Sequence, residues 1–248
     1  MITPGKLILI KKFDDAIASD FLISQYPVTK KEFQEILGLE SDDSSNNKYA
    51  QKATWTDAIR YCNILSVKNG LPLSYKESTG QLINEKRRRA KAITAGMGFR
   101  LPTMKEWEYA AKGWSQNKMG DYLAIQEKTY RILYLDYPMR DDDEEVYLRG
   151  YSGIEKMVMN TVGLYGMLGN AHEWYGDCNA KEGLKNKMCR WEEYIVNYNN
   201  DFSYQVKTEI RKDTDVFPFR VVVSNQDFRK YYNECQKRQF TGTFEAFH

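Results

Sequence analysis

Three stretches of the chain combine a helix-capping signal with apolar residues at helical spacing. Each begins at a threonine that is followed, three positions later, by a glutamate or an aspartate. Such a pair satisfies free amide groups at the start of a helix. In the second stretch the apolar residues recur at positions 0, 3, 4 and 7, which places them on one face. The pattern predicts helices that begin after Thr29, Thr54 and Thr103 and end at Gly38, Gly70 and Gly113.

The helical pattern also places one of the cysteines. Cys62 shares the apolar face of the second helix with Tyr61 and Leu65, so we expect a buried and unreactive thiol.

Residues 1–10 contain an apolar run of four, followed by Lys11 and Lys12 and by no small-residue cleavage site. This arrangement predicts a first strand rather than a signal peptide.

The segment GLYGMLGNAHEW at residues 163–174 has no regular pattern. Three glycines and an asparagine stand within eight residues, and both residue types favour turns over helices or strands. The segment therefore predicts a tightly folded loop. Inward carbonyl oxygens and the carboxylate of Glu173 suit a hard cation such as calcium. The alternative is a buried turn whose glycines only relieve steric strain.

Residues 225–248 show a separate helical pattern. Ser224-Asn-Gln-Asp227 offers a capping start, and an apolar stripe follows at Phe228, Tyr231, Tyr232 and Cys235. We expect an amphipathic helix that docks either on its own domain or on a partner protein. The predicted organisation is one domain over residues 1–224 and a helical appendage over residues 225–248.

Charge and composition exclude several functional classes. The 248 residues carry 36 basic and 34 acidic side chains, a balance that argues against a nucleic-acid surface. No window approaches 18 apolar residues, so we expect no membrane span. Four cysteines without an export signal predict reduced thiols and a cytoplasmic location. Two histidines are too few for a histidine-rich metal centre or an ordinary Ser-His-Asp triad.

Five blocks of the chain resemble a known family. The segment at 163–174 resembles the GLYDMxGNVWEW signature of the formylglycine-generating enzymes, whose domain is called the sulfatase-modifying factor domain. Four more blocks match in the family's order, at residues 21–29, 54–62, 98–111 and 219–222. The resemblance covers residues 15–224, except 114–158 and 178–215. It implies an α+β fold related to C-type lectins, with short strands, a few short helices and much irregular backbone.

The resemblance also implies a chemistry that this chain lacks the residues to perform. The family's enzymes oxidise a cysteine to formylglycine with copper held by two cysteines in a C-x-x-x-x-C pattern, and copper(I) prefers such soft thiolates. No two cysteines here have that spacing, and the pair would fall near Glu193 and Tyr198. We therefore expect no copper. Many family members also bridge the cysteine matching Cys62 to a position where this chain has Val221, so that bridge cannot form.

A calcium site is a second implication of the resemblance. The positions that match the family's calcium loop supply three backbone carbonyls and one carboxylate, and waters would complete the six to eight oxygens that calcium takes. His172 stands where the family usually has tryptophan, and we interpret it as a histidine bonded to nearby backbone rather than a metal ligand. The predicted calcium ligands are Gly166, Gly169, Ala171 and Glu173.

Residues 194–204 precede the last family block and are rich in Tyr, Asn, Asp and Ser, which make adaptable contacts. In folds of the implied type this region presents the ligand surface. Diversity-generating retroelements mutate the adenines of Asn codons in variable proteins of this fold, which offers one origin for the composition; an AT-rich genome is the simpler one. The predicted ligand-binding residues are Trp191, Tyr194, Asn197, Tyr198, Asn199, Asn200, Asp201, Phe202 and Tyr204.

The sequence thus predicts a module on a formylglycine-generating-enzyme-like scaffold that has lost the oxidase chemistry. Its expected role is to bind a protein partner or a small ligand, with calcium as the expected cofactor. The alternative is an active oxidoreductase of the same family that acts on a cysteine or thiol substrate through a different site.

Overall fold

Three short helices cover the two faces of a small antiparallel sheet. The computed structural model of the chain describes residues 5–13, 15–39, 50–77, 90–92, 98–111, 159–167, 173–176, 186–196, 202–211, 215–226 and 229. The elements in chain order are β1 (Leu7–Ile10), β2 (Phe21–Ser24), α1 (Lys30–Leu37), α2 (Trp55–Lys68), β3 (Tyr75–Glu77), β4 (Ala90–Ala92), α3 (Met104–Ala111), β5 (Glu173–Tyr175), β6 (Asn186–Val196), β7 (Phe202–Arg211) and β8 (Val222–Ser224). The described part of the chain forms three sheets, ordered β1-β2-β8, β3-β4 and β5-β6-β7. This is the predicted α+β architecture.

Residues 217–224, which end in β8, run through the centre of the fold and are called the central strand below. On one side β8 pairs with β2, with Val222 opposite Ile23. On the other side Val222 exchanges two backbone hydrogen bonds with Arg100, of 2.7 and 2.9 Å. Upstream, Phe217 exchanges two bonds of 3.0 Å with Ala53. The last family block of the sequence therefore joins segments from the first half of the chain.

Side chains of the central strand alternate between two apolar cores. Val221 and Val223 pack in the core that contains α1 and α2, whereas Val222 packs in the core that contains α3. In β2, Leu22 contacts the first core, and Phe21 and Ile23 belong to the second. Because successive side chains of a strand point to opposite faces, the sheet separates the two cores.

The predicted helix starts are confirmed. Thr29 caps α1 with a complete capping box, in which Oγ1 accepts from the Glu32 amide at 3.2 Å and Glu32 Oε2 accepts from the Thr29 amide at 2.7 Å. Thr54 caps α2 by accepting from the Asp57 amide at 3.1 Å. The first two helices also end at the predicted places, with Gly38 in the left-handed conformation and Asn69 as the cap of α2.

A bidentate ion pair fixes the start of α3. Thr103 Oγ1 accepts from the Glu106 amide at 3.1 Å, and both carboxylate oxygens of Glu106 accept from Arg100 at 2.6 Å. Burial raises the pKa of Glu106, but the bonds from Arg100 and Thr103 outweigh it and hold that pKa below its usual range. The negative charge of Glu106 is therefore part of the folded state.

The ends of the chain agree with the sequence patterns as far as they are described. Leu7–Ile10 forms the predicted first strand. Asn225, Gln226 and Arg229 are helical, and Nε of Arg229 donates to Oδ1 of Asn225 at 3.2 Å. The predicted stripe of the tail lies outside the described residues, so the division at residue 224 stays a prediction.

Among the described residues, none of the helices is long and apolar enough to cross a membrane.

The Arg100–Glu106 pair makes part of the stability pH-dependent. Glu106 has a lowered pKa in the folded state, so its contribution is present above its unfolded value of 4.5 and is lost as the pH falls through the lower, folded value. We expect Glu106→Gln to cost about 1.5–3 kcal/mol at pH 7 and clearly less near pH 3. Urea unfolding of both proteins at the two pH values measures the difference.

The matched control for this prediction is Glu35→Gln, which removes an exposed carboxylate that lies 3.9 Å from Lys31. It should change the unfolding free energy by no more than about 0.5 kcal/mol at pH 7. An equal loss for Glu106→Gln at both pH values would contradict the assignment of the charge to the ion pair.

Candidate functional site

Two opposite charges are buried together where the central strand meets β5. Arg220 is 0 % exposed and Glu173 is 2 % exposed. Nε of Arg220 donates to both carboxylate oxygens of Glu173 at 3.0 Å, and the indole N–H of Trp107 donates to Oε2 at 2.8 Å. A buried charge without a partner is strongly destabilising, so each of the two charged side chains requires the other.

The other nitrogens of the guanidinium bind backbone carbonyl oxygens. Nη1 of Arg220 donates to the carbonyl of Gln25 at 2.9 Å and to that of Ser24 at 3.3 Å, and Nη2 donates to the carbonyl of Tyr165. A planar guanidinium presents its N–H groups in a rigid fork that suits several fixed acceptors at once. Arg220 therefore joins the end of β2 and the loop before β5 to the central strand.

Burial and pairing act in opposite directions on both groups. Burial raises the pKa of Glu173 above its usual value, and the positive charge of Arg220 and the hydrogen bond from Trp107 offset only part of that rise. Burial likewise lowers the pKa of Arg220, and Glu173 raises it. Because a guanidinium remains protonated in proteins, the carboxylate faces a full positive charge.

Asn160 closes the loop that leads to the site. The Gly163 amide donates to the Asn160 carbonyl at 3.0 Å, and the Leu164 amide donates to Oδ1 of Asn160 at 2.9 Å. Nδ2 of Asn160 donates to the carbonyl of Ala110 at 2.8 Å, which ties the loop to the last turn of α3. Sequence reasoning missed this residue, although an asparagine three positions before a glycine is a known turn signal.

Two glycines of the loop adopt conformations that other residues rarely reach. The φ angle is +90° at Gly163 and +68° at Gly166, in the region where a side chain would clash with the backbone. Between them lies Tyr165, whose carbonyl accepts from Arg220. The prediction of a tight, glycine-dependent loop is confirmed for residues 163–167.

The predicted calcium ligands are only partly within the described residues. Gly166 is buried, whereas Gly169, Ala171 and the neighbouring His172 lie outside the described residues. The carboxylate of Glu173 is bonded to Arg220 and Trp107, so a calcium ion there would compete with an adjacent positive charge. In the described parts of the chain, no three His, Cys, Asp or Glu side chains are grouped to hold a metal. The calcium site stays a prediction.

The predicted ligand-binding residues belong to the β6–β7 hairpin and its connection. Trp191 and Tyr194 lie in β6, and Phe202 and Tyr204 lie in β7. Val196 pairs with Phe202 at the far end, and the register shifts between Glu192 and Ile195. The remaining five predicted residues lie outside the described part of the chain: Asn197, Tyr198, Asn199, Asn200 and Asp201.

The hairpin starts directly beside the buried ion pair. The backbone of Glu173 in β5 is opposite Cys189 in β6, and Val196 lies at the other end of the same strand. At about 3.3 Å per residue, the end of the hairpin is about 20 Å from this pairing. The ion pair thus fixes the base of the hairpin, and the predicted ligand residues begin at Trp191, two positions beyond Cys189, and continue toward its end.

Of the four cysteines, only Cys62 has a side chain among the described parts of the structure. Cys62 is buried on α2, as predicted, and burial raises its pKa well above the usual range. It shares a core with Val221, the position of the bridge that the family often forms. Cys189 is placed by its backbone in β6, and Cys178 and Cys235 lie outside the described residues.

The chain is similar to proteins of one family. The family model for the sulfatase-modifying factor enzyme 1-like domain matches residues 13–225. The chaperone protein LppX of Paenibacillus barcinonensis is 31 % identical over 172 residues, which cover 63 % of this chain and 61 % of that protein. The formylglycine-generating enzyme of Bos taurus is 34 % identical over 92 residues, which cover 36 % of this chain and 24 % of the enzyme. The matches span less than two thirds of these two relatives.

Two more comparisons extend the same likeness. The inactive C-alpha-formylglycine-generating enzyme 2 of Mus musculus is 25 % identical over 127 residues, which cover 49 % of this chain and 40 % of that protein. Among solved structures, the crystal structure of CarF superimposes with a TM-score of 0.52 at 20 % identity, covering 88 % of this chain and 93 % of CarF. The likeness to CarF shows a shared fold.

Removing both members of the buried pair should destabilise the protein by less than the sum of the two single removals. Glu173→Gln leaves a buried guanidinium uncompensated, and we expect a loss of about 3–5 kcal/mol. Glu173→Gln combined with Arg220→Met should lose less than the sum of the two single changes, because no buried charge remains. A double-mutant cycle from urea unfolding measures the coupling, and soluble yield replaces it for any variant that does not fold.

The control pair is Lys12 and Asp15, which are 3.0 Å apart on the surface. Asp15→Asn should cost at most about 1 kcal/mol. Strictly additive effects of the Glu173 and Arg220 changes would show that the two charges do not stabilise each other.

Calcium binding at the loop is tested by its effect on the melting temperature. If the predicted ligands hold calcium, millimolar calcium should raise the melting temperature of the wild type by several degrees, since a ligand that binds only the native state stabilises it. Magnesium at the same concentration serves as the ion control. Because Glu173→Gln destabilises the protein without any metal, the informative quantity is the calcium-induced shift in that variant, which should vanish. An unchanged shift would place any bound calcium elsewhere.

Proposed function

Because the chain belongs to the sulfatase-modifying factor enzyme 1-like family and lacks that family's copper-binding cysteine pattern, we propose that it is a non-catalytic binding module. In this proposal the scaffold holds a protein partner or a small ligand at the end of the β6–β7 hairpin. The observation that carries the proposal is the placement of the signature carboxylate Glu173, which is enclosed by Arg220 and Trp107.

The enclosure of Glu173 argues against a catalytic role for its carboxylate. A catalytic carboxylate needs access to substrate or solvent, whereas Glu173 is 2 % exposed and bonded to two side chains of the core. The carboxylate of the signature thus has a complete structural role. We assign binding instead to the β6–β7 hairpin and its connection.

The thiol chemistry supports the same proposal. Oxidation through copper requires two thiolates that reach one ion. Cys62 is buried, and burial disfavours its thiolate. Cys178 and Cys189 are eleven positions apart, not five as in the family's pair. A buried free thiol at Cys62 also suits the reducing cytoplasm, which we propose as the location.

Two relatives agree with a role outside oxidation. One is named a chaperone protein and matches 63 % of this chain; another is named an inactive formylglycine-generating enzyme and matches 49 %. By analogy with the first, we propose that the partner is another protein rather than a small ligand. The retroelement origin of the hairpin composition stays a prediction.

The test separates binding from oxidation in one purified protein. We expect no loss of the thiol and no aldehyde when the full chain is incubated with a cysteine-containing sulfatase peptide, copper and oxygen, with mass spectrometry as the readout. We also expect no stoichiometric copper after purification. Aldehyde formation would establish the oxidoreductase alternative instead.

The binding arm uses two matched changes in the hairpin. Replacing residues 197–201 by a Gly/Ser sequence of equal length should abolish capture of a partner from extracts of the native host and leave the melting temperature unchanged. Cys189→Ser, near the base of the same hairpin, should leave capture intact. Equal capture by all three proteins would overturn the assignment of the ligand surface.

A further inference from the structure

Strand β1 presents an open edge in the described part of the molecule. It pairs with β2 on one side, with Ile8 opposite Ile23, and it is the outermost strand of the sheet order β1-β2-β8. The Gln25 amide donates to the Lys6 carbonyl at 2.8 Å. Bonded pairs alternate along an antiparallel ladder. The backbone N–H and C=O groups that point toward β2 are therefore those of Lys6, Ile8 and Ile10. The backbone groups of Leu7 and Leu9 therefore point away from the sheet.

The edge of β1 is short and has a lysine at each end, two devices by which proteins discourage unselective pairing, but it lacks the other common ones. Natural edge strands carry prolines, bulges or inward charges that prevent pairing with another chain. The run Leu7–Ile10 contains none of these and pairs with β2 without a register shift. Leu7 packs against the first core and Ile8 against the second, which holds the strand in place. It is a suitable template for one more strand.

The charges at the ends of the strand indicate what would pair there. Lys6 and Lys11 flank the apolar run, and both are exposed. If two copies of this chain paired through β1 in antiparallel fashion, the outward-facing Leu7 of one copy would pair with Leu9 of the other, and Lys6 of one copy would lie one position from Lys11 of the other. Like charges this close in a sheet repel each other. A segment with acidic ends would place a carboxylate opposite each lysine.

We propose that β1 accepts a fourth strand from a partner protein, an extended apolar segment with acidic residues at its ends. The backbone groups of Leu7 and Leu9 supply the main-chain hydrogen bonds, and Lys6 and Lys11 select the charge of the segment. This interaction surface is separate from the β6–β7 hairpin, so either can be lost while the other is retained.

The test uses two synthetic peptides with the same alternating Val-Thr core, one with two glutamates at each end and one with two lysines. Binding to the full chain is measured by fluorescence anisotropy at low salt. We expect the acidic peptide to bind at least about tenfold more tightly than the basic one, with the preference falling as salt is added. The double change Lys6→Glu and Lys11→Glu should reverse the preference.

A proline at residue 9 tests the main-chain part of the proposal. The Leu9 amide points outward, so Leu9→Pro removes a hydrogen bond to the partner without removing one to β2, and prolines are tolerated on such edges. We expect Leu9→Pro to weaken binding of the acidic peptide at least about tenfold. Leu9→Val retains the amide and should bind as the wild type does. If Leu9→Pro does not fold, an N-methylated acidic peptide on the wild type replaces it and should bind as weakly.

Hydrogen exchange gives an independent readout at the strand itself. The Leu7 and Leu9 amides should exchange quickly in the free protein and slowly with saturating acidic peptide. Slow exchange in the free monomer would show that another segment of this chain covers the edge. Slow exchange in a dimer that Leu9→Pro dissociates would show a second copy there. Either result, or equal binding of both peptides, would overturn the proposal.

Discussion

The ion pair between Arg220 and Glu173 is the interaction on which the arrangement of the described segments depends. Arg220 interrupts an otherwise apolar central strand, and its guanidinium binds groups from the end of β2, the loop before β5 and β5 itself. The charge of neither residue is tolerable in the core without the other. The pair therefore specifies how segments that are far apart in the sequence come together, in addition to any net stability that it provides.

A scaffold held in this way leaves its surface free to change. The base of the β6–β7 hairpin is fixed by the pairing of Glu173 with Cys189, and the far end of β6 at Val196 lies about 20 Å farther along the strand. We expect substitutions at that end to leave the buried pair intact.

The helices were predictable because their signals are local. The capping residues Thr29 and Thr54 lie three positions from the groups that they bond, and the apolar spacing that buries Cys62 spans less than three turns. The ion pair was not predictable from such patterns, because 47 positions separate its partners. A carboxylate beside a glycine-rich loop suits a calcium ion and a guanidinium equally well by composition. Only the path of the central strand brings Arg220 to Glu173.

Because Arg220 is the partner of Glu173, the positive charge beside this carboxylate belongs to the chain itself. A positive charge supplied by calcium depends on the free concentration of the ion, whereas that of Arg220 is present at every pH at which the protein is folded. The described site therefore requires no metal to compensate its buried carboxylate. If calcium also binds at the loop, it adds stability to an arrangement that is already neutral.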